Sequence, residues 1–442
     1  MTTEIRTPGT PTTATATADR EGPETFLDGL RCRNCGNPEP IGPSFVCPRC
    51  FGPLEVVYDY PAIGQALSRD TIESRDLGIW RYRELLPVDA VPARGLRVGS
   101  TPLVPAERLG RELGLDRLWL KDDTRNPTLS FKDRPVALAA ARAVEFGFDT
   151  LACASTGNLA AATAAAAAAL GLRAFVFIPA DLEPAKIDQA LAYGATVVPV
   201  EGTYDDVNRL SLEIADEEGW AFVNVNLRPF YSEGSKTLSF EIAEQLGWRL
   251  PDAIVAPIAS GSLFTKVAKG FRELVDVGLV EPKPIRFIGA QAAGCGPVAD
   301  AFAAGVDTIT PVRQPDTIVR SLSIGSPADG RYSLDLARST GGSIEGVADA
   351  STADAIRLLG RTEGIATETA GGVTVAAAAQ ARARGVLRPD DEVVVLLTGN
   401  GMKTPDARRF GLDGDVAVAG GPGLATTIQP TLSAFEAWLQ GR

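Results

Sequence analysis

Thr150-Leu-Ala-Cys-Ala-Ser-Thr-Gly-Asn158, followed by the alanine-rich run from Leu159 to Leu170, carries the fold of this chain in miniature. A short apolar run closed by a Ser-Thr-Gly-Asn turn reads as a buried strand, and the long small-residue run after it reads as a helix. The same unit recurs in both directions. Further strands are predicted at Leu118–Lys121, Ala174–Pro179, Thr196–Val200, Ala221–Asn226, Ala253–Ile258, Ile285–Gln291 and Val393–Thr398. Helices are predicted at Pro135–Phe146, Ala185–Tyr193, Tyr204–Glu218, Gly234–Leu246, Leu263–Leu274, Ala353–Arg361 and Gly372–Arg384. This alternation predicts an α/β fold of parallel-rich sheets with helices on both faces, and such sheets bind ligands at the C-terminal ends of their strands.

The composition narrows the chemistry. At 442 residues the chain has room for two or three domains. A net charge of −12 disfavours nucleic acid or an anionic membrane as the main partner. No run approaches the ~18 to 20 apolar residues of a membrane span, and the N-terminus lacks an apolar signal core, so a cytoplasmic location is expected. Histidine is absent altogether. That excludes imidazole general bases, Ser-His-Asp and Cys-His nucleophile systems and histidine metal ligands, leaving proton transfer to Lys, carboxylates, Tyr or Cys.

Four of the six cysteines form two knuckles, Cys32-x2-Cys35 and Cys47-x2-Cys50, eleven residues apart and flanked by Gly36, Pro48 and Gly52. This is the spacing of a zinc ribbon, in which two turns each bring two thiolates onto one ion. A disulfide pair and a metal-free relic are the competing readings. Four thiolates leave no open coordination position, so the metal is expected to be structural and distant from the chemistry. Cys153 and Cys295 have no partner in sequence and read as buried small hydrophobes.

The unusual residues gather at predicted strand ends: Asn126-Pro-Thr-Leu-Ser-Phe-Lys-Asp-Arg134, Ser155-Thr-Gly-Asn158, Ala259-Ser-Gly-Ser262 and Thr398-Gly-Asn-Gly401. Taken singly each is ordinary, since a lysine at a helix start is usually exposed and a small-residue turn is usually only a turn. Together they supply complementary parts of one site. Lys132, beside Phe131 at a helix head, offers a partly desolvated, imine-forming amine. Ser260, Gly261 and Ser262 precede a helix and free backbone N–H groups for a phosphate. Ser155, Thr156, Gly157 and Asn158 offer hydroxyls, amides and a second helix N-terminus for a carboxylate, and Thr398 offers one neutral hydroxyl.

Ser130-Phe-Lys-Asp-Arg134, preceded by Gly99-Ser-Thr-Pro-Leu103 and followed by Ser155-Thr-Gly-Asn158, resembles the fold-type II pyridoxal-phosphate enzymes, and among them the threonine synthases. The likeness continues through Lys186-Ile-Asp-Gln189, Tyr193-Gly-Ala195, Glu233-Gly-Ser-Lys-Thr237, Glu363-Gly-Ile365, Glu368-Thr-Ala-Gly-Gly372 and Thr398-Gly-Asn-Gly-Met-Lys403. It covers about residues 95 to 410, and the cysteine element is similar to one found in a longer subset of these synthases. The resemblance implies a two-domain body like that of the tryptophan synthase β chain, with pyridoxal 5′-phosphate as cofactor. Lys132 would carry the imine and then move substrate protons. Asn158 would bond the cofactor's phenolic oxygen, Ser260, Gly261, Ser262 and Leu263 would hold its phosphate, and Thr398 would meet its pyridine nitrogen. Two departures stand out: Ala259-Ser-Gly-Ser262 replaces a Gly-Asn-rich loop, and no Asp follows Lys403.

The implied reaction converts O-phospho-L-homoserine and water into L-threonine and phosphate, with a serine/threonine dehydratase or a cysteate synthase as the alternative. A phosphorylated amino-acid substrate needs a second anion site, for which Arg134, Asn226, Arg228, Lys236 and Thr237 are the candidates beside Ser155 and Thr156. The competing reading makes Arg134, Arg228 and Lys236 ordinary surface or structural charges. The expected layout is a disordered lead over 1–25, a ribbon-like element over 26–60, a linker and arm over 61–98 and a catalytic body over 99–442. Its smaller subdomain spans about 135–230, and a flexible tail starts near 412. A homo-oligomer is compatible with this layout.

Overall fold

In the computed structural model, residues 25–155, 157–180, 188–202, 204–405, 407 and 429–440 are described. The expected lead up to residue 24, Thr156, Lys186 and most of the expected tail lie outside them.

Leu27–Cys32 (β1), Pro38–Glu39 (β2) and Leu54–Tyr58 (β3) form a small antiparallel sheet in the order β2-β1-β3. Leu103–Pro105 (β4) and Arg117–Asp122 (β5) open the main body. Thr150–Ala154 (β6), Arg173–Pro179 (β7), Thr196–Val200 (β8) and Ala221–Phe222 (β9) make a parallel sheet in the order β8-β7-β6-β9. Ala253–Pro257 (β10), Arg286–Ala292 (β11), Ser343–Val347 (β12) and Glu392–Leu397 (β13) join β4 and β5 in a six-stranded sheet, β12-β11-β10-β13-β5-β4. Only β4, on the edge, runs antiparallel there. Every residue of β6, β10 and β13 is buried, as expected of parallel strands covered on both faces.

The helices follow from what each strand must cover. Helix Asn158–Leu170 lies against β6, β7 and helix Asp133–Glu145, and its alanines are nearly all buried. Small side chains let the two backbones approach closely, which explains a long helix with no amphipathic stripe.

Three expectations change. The predicted strand Ala221–Asn226 stops at Phe222, because the Asn226 side chain turns back to accept from Phe222 N and donate to Trp220 O. The predicted helix Gly234–Leu246 starts earlier, as Arg228–Glu233, and passes through a 3-10 turn at Gly234–Lys236 into Thr237–Gln245. A Cβ at Gly234 would stand 2.4 Å from Arg134 O, so only glycine lets these segments touch. The linker is a packed arm: helices Tyr60–Ala66 and Arg69–Glu73 precede a 3-10 segment, Ile79–Leu85, whose Ile79, Tyr82 and Leu85 are fully buried. Its apolar residues have irregular spacing, so they show no helical period and become core only by docking. A further helix, Leu432–Gln440, lies in the expected tail.

The small sheet is fastened to helix Ser262–Asp276 by buried charges. Glu55 on β3 bonds Lys266, the Val56 carbonyl accepts from Lys269, and Tyr60 donates to Glu273. Burial raises the Glu55 carboxyl, but the Lys266 and Lys269 ammonium groups outweigh it and hold it at about 2, below its ordinary 4.5. A depressed carboxylate stabilises the fold above its unfolded value, and that contribution disappears as pH falls toward the folded value. Glu55→Gln is therefore expected to lower unfolding free energy by about 2 kcal/mol at pH 7. The difference from wild type should shrink between pH 4.5 and 2. Urea denaturation at pH 7 and pH 3 checks both halves; an equal deficit at both would remove the charge pairing as its cause.

Candidate active site

β5, β6, β10 and β13 each run into one of the four segments singled out in the sequence. The loop after β13 is stitched on both sides. Phe131 N donates to Thr398 O at 2.9 Å and Asn400 N to Leu129 O at 2.9 Å, while Glu368 N and Thr367 Oγ1 donate to Gly399 O at 2.9 and 3.0 Å. Leu129 holds φ 64°, a left-handed conformation that is strained for a leucine and persists here because both flanks are bonded. These bonds bring Lys132, Thr398 and Glu368 together from three separate parts of the chain.

Lys132 is half-buried at the head of helix Asp133–Glu145, and its Nζ donates to Tyr231 Oη at 2.9 Å. Phe131 and Tyr231 offer ring faces to the amine at 4.8 and 5.6 Å. Beside it, burial pushes the Asp133 carboxyl up to about 6, against two hydrogen bonds from Thr128 that favour the anion. Asn158 heads its own helix and donates to both Glu368 oxygens at 3.0 and 2.9 Å. Burial raises the Glu368 carboxyl above its usual range, while Asn158, Lys403 and Lys132 pull it back. Thr398 is buried, and among the described residues its hydroxyl makes no hydrogen bond.

Helix Ser262–Asp276 begins at Gly261, which has φ 93° and offers no side-chain cap. The N–H groups of Ser262 and Leu263 have no partner among the described residues. Uncapped N–H groups at the positive end of a fifteen-residue helix make an anion cradle. At helix Asn158–Leu170, Ser155 Oγ accepts from Gly157 N and Ala160 N, while the N–H groups of Asn158 and Leu159 have no partner among the described residues.

The candidates for a second anion site separate sharply. Arg134 is fully buried, and its guanidinium is spent on Asp123, Glu241, Thr101 and Thr237. Lys236 is equally buried, between Glu233 and Glu273 and 4.0 Å from the centre of the Tyr58 ring. Thr237 donates to Gly234 O and accepts from Arg134, and Asn226 closes the turn after β9. These four serve the fold, since each meets partners that the linear spacing did not reveal. Arg228 is 28% exposed, with Nη2 on Asp329 at 2.8 Å and no other side-chain hydrogen bond among the described residues. Residues without a role in the sequence reading also enter: Tyr231, Glu368, and Lys403, whose Nζ donates to Gln189 at 2.8 Å. Glu368 and Lys403 lay inside motifs of the resemblance; Tyr231 carried no sequence signal.

The Sγ atoms of Cys32, Cys35, Cys47 and Cys50 all lie within 4.8 Å of one another. A Zn–S bond of about 2.3 Å implies tetrahedral edges of about 3.8 Å, so the cluster fits that ion. Gly52 N–H favours the Cys50 thiolate, yet the neighbouring sulfurs overrule it and push Cys50 to about 12. Four crowded thiolates need a cation. Cys153 and Cys295 are fully buried, as expected.

Residues 95–399 match the family described as "Pyridoxal-phosphate dependent enzyme". The chain belongs to that family, and its architecture is fold-type II. Its relatives there include the threonine synthase of Methanocaldococcus jannaschii, 36% identical over 379 residues that cover 85% of this chain and 93% of that one. The threonine synthase of Methanosarcina acetivorans is also 36% identical, over 85% of this chain and 92% of its own length. Among solved structures, diaminopropionate ammonia lyase from Escherichia coli superposes with a TM-score of 0.60 at 20% identity, covering 77% of this chain and 91% of that chain. That likeness concerns the fold alone. The donor set fits the family's cofactor: an amine, an uncapped helix end for a dianion, an amide and an unpaired hydroxyl. No helix among the described residues is long and apolar enough to cross a membrane.

Proposed function

We propose that this chain is a threonine synthase, converting O-phospho-L-homoserine and water into L-threonine and phosphate. The observation that carries the reading is the hydrogen-bonded gathering of the Lys132, Asn158 and Thr398 segments, together with an uncapped helix start at Ser262, in a chain 36% identical to threonine synthases over most of its length. Bound pyridoxal phosphate supplies an electron sink conjugated to the substrate's α-carbon.

The protein's own residues do the rest. Lys132 Nζ would hold the cofactor, and its amine would carry protons to and from the substrate's carbon chain, with Tyr231 Oη beside it to receive or return one. Ser260, Gly261, Ser262 and Leu263 would hold the cofactor phosphate, and Asn158 would bond its phenolic oxygen. Thr398 would offer the pyridine nitrogen a neutral hydroxyl, a partner that favours elimination and replacement over transamination. For the substrate phosphate the candidates are Arg228 and Lys403, which among the described residues each have one side-chain hydrogen-bond partner, Asp329 and Gln189. Ser155 and Thr156 stand for the substrate carboxylate, and the four cysteines hold a structural zinc.

Incubation with O-phospho-L-homoserine should release phosphate and form threonine stoichiometrically, whereas a dehydratase would form a ketoacid from threonine. Ketoacid formation without phosphate release would replace this reading with the dehydratase one. Gly399→Ala should cost on the order of 10²-fold in kcat/KM. Its Cβ would stand 2.3 Å from Glu368 Oε1, driving the carboxylate off Asn158. A variant with wild-type kinetics would show that the Glu368–Asn158 contact does not govern the site.

A further inference from the structure

We propose that Arg33, held in the first cysteine knuckle, is a positioning residue for the cofactor-phosphate loop, acting through Asp329. The inference rests on the reading of Ser260–Leu263 as the phosphate cradle. It reverses the expectation that the cysteine element stands apart from the chemistry.

The knuckle fixes Arg33 between two zinc ligands. Its N–H donates to Pro53 O at 3.0 Å, Gly36 N closes the turn onto Cys32 O, and Asn34 N points at Cys32 Sγ. From there Arg33 Nη1 reaches Asp329 Oδ1 at 2.8 Å, 296 residues along the chain, with its guanidinium 3.6 Å above the Tyr332 ring. Tyr332 in turn donates to Asn34, so the contact is double. Asp329 is the residue on which the cradle leans. Its N–H donates to Ser260 O at 2.7 Å, and its carbonyl takes Ser333 N and Ser333 Oγ, both at 3.0 Å. A Cβ on Gly261 would meet Ser333 Oγ at 2.6 Å and Asp329 O at 2.8 Å, which measures how tightly the loop is backed. The other Asp329 oxygen takes Arg228 Nη2.

Asp329 therefore sits almost fully buried between two arginines, one from the cysteine element and one from the helix that also carries Tyr231. Removing Arg33 leaves half of a buried carboxylate unpaired, and the aspartate must move or take up water. Either response shifts the Ser260 carbonyl and splays the N–H groups that follow it. A phosphate bound there loses its grip, while the ring and aldehyde contacts made by Lys132, Asn158 and Thr398 are untouched.

The test compares pyridoxal phosphate with pyridoxal, which lacks the phosphate, in titrations of the full-length apoprotein followed by visible absorbance. Arg33→Ala and Asp329→Asn should each weaken pyridoxal phosphate about tenfold and change pyridoxal by less than about twofold. Arg33→Lys should recover part of the loss. Unchanged affinity for pyridoxal phosphate in both variants would overturn the proposal, and so would an equal loss for both ligands, which marks general damage. Gly261→Ala separates this from the underlying reading. If it leaves the preference for the phosphorylated ligand intact, the cradle lies elsewhere and the reading of the loop falls. If it abolishes the preference while Arg33→Ala does not, only the link to the cysteine element falls.

Discussion

Lys132→Ala is expected to abolish turnover, by on the order of 10³-fold or more, and with it the visible absorbance band of the bound cofactor. No histidine exists to take over proton transfer, Lys236 is committed to Glu233 and Glu273, and Lys403, proposed for the substrate phosphate, is anchored on Gln189. The fold should survive. Among the described residues Lys132 makes one side-chain hydrogen bond, to the Tyr231 hydroxyl, faces two rings, makes no side-chain cap, and holds φ −57°, which alanine adopts freely. Deleting it leaves the nearby buried Glu368 its two Asn158 hydrogen bonds and the Lys403 charge. A soluble variant that still releases phosphate from O-phospho-L-homoserine would remove Lys132 from the mechanism.

Arg134→Met, two residues further on, should do the opposite. Arg134 neutralises Asp123 and Glu241 in a cluster completed by Lys121, Thr101 and Thr237, with Arg134 and Lys121 fully buried. Burial raises the Glu241 carboxyl, yet Arg134 and Lys121 hold it well below the usual range. Without the guanidinium, Glu241 keeps Lys121 but Asp123 keeps little more than the Thr101 hydroxyl. Breaking one side of a buried pair costs about 3 to 5 kcal/mol, so a large drop in urea midpoint is expected. Arg134→Lys should rescue poorly, since one ammonium cannot reproduce contacts made by a planar fork. A stable Arg134→Met variant with a raised KM would instead return Arg134 to the list of substrate ligands.

The contrast between these neighbours shows how far the sequence could be read. Lys132 was legible because its signal is local: an apolar neighbour, a helix head and a motif of five residues. The strand ends at Ser155, Ala259 and Thr398 were legible for the same reason, as turn chemistry after an apolar run names the end of a parallel strand. Arg134 and Lys236 were misleading because a cation beside a catalytic motif looks alike in sequence whether it faces a ligand or a carboxylate. Beside the nearby partners Asp123 and Glu233, the carboxylates that complete their pairing, Glu241 and Glu273, stand 107 and 37 residues away in the chain.

What the sequence determined by itself is whatever depends on period, turn and spacing: the α/β alternation, the two cysteine knuckles and the lysine at a helix head. The absence of histidine, which closes off whole chemistries, belongs with them. What only the tertiary structure decided is the pairing of charges. Burying an ion costs several kcal/mol unless a partner meets it, and the partner is supplied by whichever element packs alongside, independent of its place in the chain. That is why Arg228 kept donors for a ligand while Arg134, Lys236 and Thr237 did not. It is also why Arg33, a residue between two cysteines, came to rest on the aspartate behind Ser260.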